Sequence, residues 1–389
     1  MSVKSSHVSK KLLYHLEMKK SSQSKIHKHL RVYSALHQAI TAGRWGVGEK
    51  LPSEAELVRQ FGVSRITVGR AVKDLQTAGL VQRRAGAGTF IRRVQKSAAL
   101  SFGLLIPDLG ETEIFEPICQ GIMASPLARE HALVWGNTSG LDSSKEDRAW
   151  QLCRQYIERR VSGVFLAPLE SGPSKDEANL RIVGAFDDAG IPVVLLDRTL
   201  LPYPQQGRHD LVGIDNRAAG YFVTNHLLAL GCRRIGFVGM RNGASTIDAR
   251  EAGYREALYI GDVPGERSLI HRGDADDIQA IAQLMKSQRP DGIVCANDRT
   301  AGSLMHSLRR LGSRIPHDVR LIGIDDVEYA SLLPVPLTTL RQPTRQIGET
   351  SLAIMLQRIA RPDLPPRETR LACELIVRES CGARATLAA

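Results

Sequence analysis

The chain has 389 residues, and its content of 43% hydrophobic and 24% charged residues is typical of soluble globular proteins. At roughly 100–200 residues per domain, this length predicts two or three domains. No apolar run approaches the roughly 18 residues of a membrane span, and the basic stretch 1–28 lacks the apolar segment of a secretory signal. We therefore expect a cytoplasmic protein rather than a secreted or membrane protein.

The cysteines predict neither a disulfide framework nor a metal site. No two of them have the C-x-x-C spacing of zinc ribbons, and reduced, mostly buried thiols are usual in cytoplasmic proteins. The six cysteines are Cys119, Cys153, Cys232, Cys295, Cys373 and Cys381.

Positive charge is concentrated at one end of the chain. The net charge is +11, yet residues 1–97 hold 19 Lys and Arg against five acids, whereas the remainder holds 33 bases against 36 acids. This asymmetry indicates a polyanion-binding module joined to a domain with another role. Residues 1–28 hold seven lysines and one acid and are predicted to be a disordered basic arm, either a solvated tail or a phosphate-contacting one.

Residues 29–92 predict a winged helix-turn-helix domain. Apolar residues recur at helical spacing from Leu30 to Ile40. Ser53 and Glu56 form a capping box that begins a second helix, and Gly62 ends it. Two helices separated by a short turn that contains glycine are typical of a helix-turn-helix.

The third helix is expected to begin after Ser64 and to end at Gly79. Beyond it, residues 80–84 and 89–91 alternate like two strands, with Gly86 in the turn between them, which predicts a hairpin wing. The third helix is expected to run through the apolar residues Ile66, Val68, Ala71, Val72 and Leu75.

The third helix carries residues suited to reading DNA. In a helix-turn-helix, the N-terminal residues of the second helix of the motif reach base edges in the major groove. Arginine can bind guanine with two hydrogen bonds at about 1–3 kcal/mol, and Ser or Thr hydroxyls suit phosphate oxygens. Alternatively, the arginines solvate an exposed helix face. The candidate DNA-binding residues are Lys50, Ser53, Ser64, Arg65, Thr67, Arg70, Arg83, Arg84 and Gly86.

This region closely resembles the winged helix of the GntR family. The resemblance covers Leu30 to Ile91 and rests on the segments LPSEAEL (51–57), GVSRITV (62–68), GLV (79–81) and GAGTFI (86–91). The resemblance implies DNA binding. Arginines that contact DNA in the family are replaced here by Ala55 and Gly69, and the often polar wing positions are Ala85 and Ala87. We therefore expect fewer base contacts than is usual in the family.

After a predicted linker at 93–100, short apolar strands alternate with helical segments. This alternation predicts buried parallel strands covered by helices, a doubly wound α/β arrangement. About eight strands are too many for one open sheet with a single switch point, so two similar α/β lobes are expected. The predicted strands are Phe102–Ile106, Ala132–Trp135, Val164–Ala167, Val193–Leu196, Leu211–Ile214, Ile235–Val238, Ile293–Ala296 and Leu321–Ile324.

Residues 101–383 resemble the effector domain of LacI-type repressors, a fold shared with periplasmic sugar-binding proteins; a short tail, 384–389, follows. The resemblance rests on segments that include GIPVVLLDR (190–198), RRIGFVG (233–239), AND (296–298), GIDD (323–326) and PLTTLRQP (336–343). It implies a two-lobed, periplasmic-binding-protein-like fold, a homodimer and a small-molecule effector. Together with the winged helix, this architecture resembles that of the arabinose repressors of Gram-positive bacteria.

Polar residues at strand ends predict the ligand site. Ligands of open α/β sheets bind outside the C-terminal ends of the strands, and Asp108, Asp197, Arg198, Asn297 and Asp325 each follow a predicted strand. Any one of them could instead cap a helix or bond across the lobes. In the sugar-binding branch of the family, matching residues line the cleft, which favours a neutral sugar. The candidates are Asp108, Phe115, Asp197, Arg198, Arg250, Asn297, Asp325 and Gln342.

Two cleft positions depart from the family pattern, because Thr112 and Ala167 stand where asparagines are common; this leaves the particular sugar open. The sequence has none of the G-x-S-x-G, H-E-x-x-H or P-loop motifs, so we expect neither an enzyme nor a cofactor. The prediction is a DNA-binding transcriptional regulator, a repressor whose operator affinity a sugar changes. The alternatives are a sugar-binding protein without a DNA role and a sugar-processing enzyme.

Overall fold

The computed structural model describes residues 29, 31–40, 43–77, 79–84, 86–91, 99–106, 113–136, 144–241 and 243–383. The predicted arm 1–28, the candidate ligand residue Asp108, most of the predicted linker and the tail 384–389 lie outside these residues. The chain divides into two compact units, Met1–Ala98 and Ala99–Ala389. No helix in the described part of the chain is long and apolar enough to cross a membrane.

The first unit is a winged helix-turn-helix, as predicted. Its elements are α1 (31–40), α2 (Glu54–Phe61), α3 (Arg65–Thr77), β1 (Val81–Arg84) and β2 (Gly88–Ile91). The capping box is confirmed, because the Glu56 backbone N–H donates to Ser53 Oγ and the Ser53 N–H donates to the Glu56 carboxylate. Strands β1 and β2 pair antiparallel, and the apolar faces of α1, α2 and α3 enclose one core that includes Leu36, Leu57 and Leu75.

The second unit has two parallel-rich sheets rather than one, which confirms the two-lobed α/β prediction. Its strands are β3 (Ser101–Leu105), β4 (Ala132–Trp135), β5 (Gly163–Leu166), β6 (Val193–Leu196), β7 (Asp210–Ile214), β8 (Ile235–Gly239), β9 (Ile270–Arg272), β10 (Gly292–Cys295), β11 (Arg320–Asp325), β12 (Thr339–Arg341), β13 (Glu368–Leu371) and β14 (Glu374–Ile376). Its helices are α4 (Phe115–Ala124), α5 (Lys145–Glu158), α6 (Lys175–Asp188), α7 (Asn216–Ala229), α8 (Ser245–Ile260), α9 (Ile278–Gln288), α10 (Asp298–Arg310) and α11 (Thr344–Ala360).

The two sheets have corresponding strand orders. The N-lobe sheet runs β13-β7-β6-β5-β3-β4 and the C-lobe sheet runs β14-β12-β11-β10-β8-β9. All pairs are parallel except β12 with β14. The chain passes between the lobes three times, after β7, after β12 and after β13. Strands β6 and β11 occupy the same place in the two sheets, so the residues that follow them occupy equivalent positions.

Each lobe contains a pair of helices packed at very short distance. The pairs are α4 with α11 and α7 with α8, and they make the largest helix–helix contacts in the unit. Glycines at the contacts permit this approach: a Cβ on Gly253 of α8 would overlap the carbonyl oxygen of Arg217, and a Cβ on Gly121 of α4 would overlap that of Arg345.

All eight predicted strands are confirmed, but the count of about eight was too low. Strands β9, β12, β13 and β14 have only three or four residues, and each of them contains arginine or glutamate. Segments this short and polar have no detectable apolar period. They are strands because neighbouring strands bind their backbone groups.

Candidate functional sites in the two units

Helix α3 presents one apolar face to the core and one exposed face. Val68, Ala71, Val72 and Leu75 are buried, whereas the Arg65 side chain is 83% exposed and Arg70 is also exposed. Ile66 lies in this helix as predicted, but unlike the other apolar residues its side chain is 85% exposed. Ile66 is two positions before Val68, about 200° around the helix from it, so helical periodicity itself places Ile66 on the outer face.

The residues at the start of α3 are ordered by local hydrogen bonds. Ser64 Oγ accepts from the Thr67 backbone N–H at 3.3 Å and lies 2.8 Å from Thr67 Oγ1. Ser64 therefore caps α3, and Thr67 is held beside it. Ser53 plays the corresponding part at α2, where its hydroxyl also donates to the Glu56 carboxylate at 2.8 Å.

Glu54 of α2 forms ion pairs with both α3, the helix expected to read DNA, and the wing. Its carboxylate lies 3.5 Å from Arg65 Nε and forms a second ion pair with the Arg83 guanidinium. The Glu54 side chain is only 20% exposed, so its charge is held among the candidate DNA-binding arginines. This residue is missing from the sequence-based candidates, because an acid in the first turn of a helix is fully explained by the helix dipole.

The remaining wing candidates are ordered by packing. The Arg84 guanidinium lies 4.8 Å from the centroid of the Phe90 ring. Lys50 bridges to Phe90 through the backbone, and its side chain packs over Gly88. Gly86 has φ +69° in open space, the left-handed conformation for which glycine is the favoured residue. The structure thus brings the candidates of α2, α3 and the wing onto neighbouring elements.

In the second unit, two candidate aspartates occupy equivalent strand ends in the two lobes. Asp197 directly follows β6 and Asp325 is the last residue of β11. Both have positive φ, 68° and 129° respectively. Non-glycine residues in such conformations cost of order 1–3 kcal/mol and concentrate at functional sites.

In the N-lobe, Asp197 stands in a cluster with an arginine and an aromatic ring. Arg198 donates to the Glu170 carboxylate at 2.7 Å and its Nε lies 3.3 Å from Asp197 Oδ2. The Arg198 guanidinium is also 5.3 Å from the centroid of the Phe115 ring. The structure therefore brings together three of the candidates, and it adds Glu170, which the sequence did not single out.

In the C-lobe, Arg250 is enclosed by protein acceptors. It donates to the Ala296 carbonyl oxygen at 2.6 Å, to Asn216 Oδ1 at 2.8 Å and to Asp325 Oδ1 at 3.4 Å, and it is 3% exposed. Gln342 Nε2 donates to the same Asp325 oxygen at 2.7 Å. Arg250 thus positions Asp325, and it joins the ends of β10 and β11 to the start of α7.

Asn297 serves as a helix cap. Its Oδ1 accepts from the Thr300 backbone N–H at 2.8 Å at the start of α10. The adjacent Asp298 is fully buried, where its carboxylate accepts from Thr339 Oγ1 at 2.6 Å and from the Val327 N–H at 3.1 Å. Burial, and then the charge of Asp325, raise the pKa of Asp298 above its usual range.

The lobes also contact one another directly beside these clusters. Tyr329 Oη, in the turn after β11, donates to Glu113 Oε1 just before α4 at 3.1 Å. Lys175 Nζ of α6 donates to the Gly243 carbonyl oxygen at 2.7 Å. These contacts pair residues 216 and 68 positions apart, so no local sequence signal identifies them.

Three buried polar atoms in these clusters have no hydrogen-bond partner within the described part of the chain. They are Asp197 Oδ1, Arg198 Nε and Gln342 Oε1, half of the six such side-chain atoms. Because a buried unsatisfied polar group costs about 1–3 kcal/mol, this concentration favours a site completed by a polar ligand. No group of His, Cys, Asp or Glu among the described residues has the arrangement of a metal site.

Comparison with protein families assigns both units. Residues 28–91 match the model for bacterial regulatory proteins of the gntR family, and residues 224–381 match that of the periplasmic binding protein-like domain. The chain therefore contains a GntR-type helix-turn-helix domain and a periplasmic-binding-protein-like domain. The two matches lie one in each unit, and the second includes Arg250, Asn297, Asp325 and Gln342.

Several curated relatives and solved structures are similar to this chain over most of its length. The regulator is 25% identical over 343 residues to the arabinose metabolism transcriptional repressor of Geobacillus stearothermophilus, covering 85% of this chain and 91% of that protein. It is 26% identical over 339 residues to the transcriptional repressor PurR of Vibrio atlanticus, covering 84% and 97%. A LacI family regulator from Enterococcus faecium with bound ribose is 25% identical, with TM-score 0.58 and coverage of 72% and 98%.

Proposed function

We propose that this regulator is a cytoplasmic repressor whose affinity for operator DNA changes when a small sugar binds between the lobes of its second unit. The observation that carries the proposal is the set of unpartnered buried atoms on Asp197, Arg198 and Gln342. Sugar hydroxyls both donate and accept hydrogen bonds, so one sugar can satisfy both acceptors and the donor. The Phe115 ring beside Arg198 supplies an apolar surface for the C–H groups of the ring.

Ligand binding would act through the relation between the lobes. The unpartnered atoms belong to residues after β6 in one lobe and after β12 at a crossing between the lobes, so a ligand that bonds to all of them favours one arrangement of the lobes. A coupling free energy of about 1–3 kcal/mol changes operator affinity about 5- to 150-fold. As a homodimer, the regulator would bind two half-sites about one helical turn, 10 bp, or a multiple apart.

On the DNA side, we propose that Arg65, Ile66 and Arg70 read bases and that Ser64, Thr67 and the wing residues contact the backbone. An exposed isoleucine on a recognition helix suits the methyl group of thymine. The arginines of the wing, at positions 83 and 84, are ordered by Glu54 and Phe90 respectively, which suits phosphate contacts that fix the docking angle.

Binding to selected DNA and to a panel of pentoses and hexoses tests this proposal. A high-affinity duplex selected from a random pool should bind with an affinity that falls steeply with salt, and one sugar should shift that affinity and raise the melting temperature. Arg65→Ala should abolish specific DNA binding and leave the sugar response of the melting temperature unchanged. Gln342→Ala should do the opposite. Sugar binding without DNA binding would instead identify a sugar-binding protein with no regulatory role.

A further inference from the structure

Several carboxylates lie around the candidate sugar site. Glu170 and Asp197 share Arg198 in the N-lobe, and Glu113 of the same lobe accepts from Tyr329 of the C-lobe. Asp325 is close enough to two of these acids for their charges to act on it: burial raises its pKa above the usual range, Arg250 and Gln342 oppose that rise, and Asp197 and Glu113 add to it. Acids from both lobes therefore converge on one region.

The cations of this region are already bound to protein groups. Arg198 lies between Glu170 and Asp197 Oδ2, and Arg250 is enclosed by Asn216, Ala296 and Asp325. The Lys175 ammonium donates to the carbonyl oxygens of Glu170 and Gly243. None of these bonds reaches the second oxygen of Asp197.

Two buried acceptors of this region consequently lack a hydrogen-bond donor within the described residues. Asp197 is 5% exposed and Gln342 is 3% exposed, and neither Asp197 Oδ1 nor Gln342 Oε1 has a partner within the described residues. Among the described residues, Glu113 Oε1 accepts one hydrogen bond, from the Tyr329 hydroxyl at 3.1 Å. A donor that also carries positive charge suits this arrangement, because it gains attraction to the nearby carboxylates in addition to a hydrogen bond with an ionised acceptor.

We propose that the effector carries a protonated amino group among its hydroxyls, as an amino sugar does, and that this group binds Asp197 with Glu113 close by. This inference rests on the proposed function and narrows its ligand class. An ammonium group provides three donors and a charge, whereas a hydroxyl provides one donor and no charge. Arg198 stays paired with Glu170 and Asp197 Oδ2, which leaves Asp197 Oδ1 for the ammonium group.

Matched series of sugars test the inference on the full-length protein. Three series are used, based on glucose, galactose and mannose. Each series contains the neutral hexose, its 2-amino derivative and the neutral N-acetyl derivative of that amine. Affinities are measured by calorimetry at about pH 6.5, where an amine with an ordinary pKa is protonated. In one series we expect the amino sugar to bind at least about tenfold more tightly than both neutral members, with an affinity that falls as salt increases.

Isosteric neutral variants test which carboxylates interact with the amino group of the sugar. Asp197→Asn and Glu113→Gln should each reduce the affinity for the amino sugar about tenfold and reduce that for the neutral hexose less. Glu116→Gln, three residues from Glu113 but on the exposed side of α4, is the matched control and should change neither. If a neutral sugar binds as tightly as its amino derivative, the inference is wrong and the sugar-responsive function stands. If no member of any series binds, both are rejected.

Discussion

Replacing Arg250 by methionine tests whether this residue is primarily part of the framework of the C-lobe. The substitution keeps the length and apolar stem of the side chain but removes hydrogen bonds to Ala296 O, Asn216 Oδ1 and Asp325 Oδ1. Asp325 would then be held by Gln342 alone in a place where its side chain is 12% exposed. Breaking a buried ion pair by removing one partner costs about 3–5 kcal/mol, and we expect a loss of this size.

Urea unfolding followed by circular dichroism measures the loss. Arg217→Met is the matched control: this arginine lies on α7, is 53% exposed and pairs with Glu256, so its removal should change the unfolding midpoint little. The double variant Arg250→Met with Asp325→Asn should recover part of the stability, because the unpaired carboxylate is gone. A loss below about 1 kcal/mol for Arg250→Met, or no recovery in the double variant, would refute the framework role.

Three further perturbations test separate parts of the structure. Ile66→Ala should weaken binding to the selected duplex about fourfold, as expected for about one buried methyl group. Replacing thymine by uracil at one position of that duplex should weaken binding of the wild-type protein by a similar factor. The same replacement should leave the affinity of the variant unchanged. Gly253→Ala should destabilise the α7–α8 pair by about 1–3 kcal/mol in urea unfolding, whereas Gly184→Ala on α6, where a Cβ meets nothing within 4 Å, should stabilise by about 0.5–1 kcal/mol. Asp298→Asn should raise the free energy of unfolding, and more so at pH 8 than at pH 5. Burial raises the pKa of this carboxyl in the folded chain, so the native carboxylate destabilises the fold as pH rises above the ordinary pKa. Asparagine keeps both hydrogen bonds once the Thr339 hydroxyl turns.

Elements with strong periodicity or capping signals were predictable from the sequence. The capping box of Ser53 and Glu56, and the continuous apolar runs of β5 and β6, determine local structure through interactions between near neighbours in the chain. Strands β13 and β14 were not predictable, because their backbone groups pair with β7 and β12, strands more than 30 residues away. Their existence follows from the assembled sheets and not from their own side chains.

The candidate site was predictable in its positions and less so in its roles. The rule that ligands bind at the C-terminal ends of parallel strands identified Asp197 and Asp325, which stand at equivalent strand ends in the two lobes. The acceptors Glu113, Glu170 and Asn216, which bond to Tyr329, Arg198 and Arg250 respectively, depend on which distant segments the fold brings together. Asn297 stays a ligand candidate, and the structure adds that its oxygen caps α10.

The role of Arg250 has a consequence for how an effector signal arises. Arg250 is 3% exposed and donates to Asn216, Ala296 and Asp325, so we expect it to hold Asp325 in both states and to contribute little differential affinity. Asp197 Oδ1 and Gln342 Oε1 differ, since they lack partners and their pairing depends on a ligand. A ligand shifts a conformational equilibrium only by its differential affinity for the two states. The response should therefore be most sensitive to Asp197 and Gln342, whereas Arg250 should govern the stability on which that response depends.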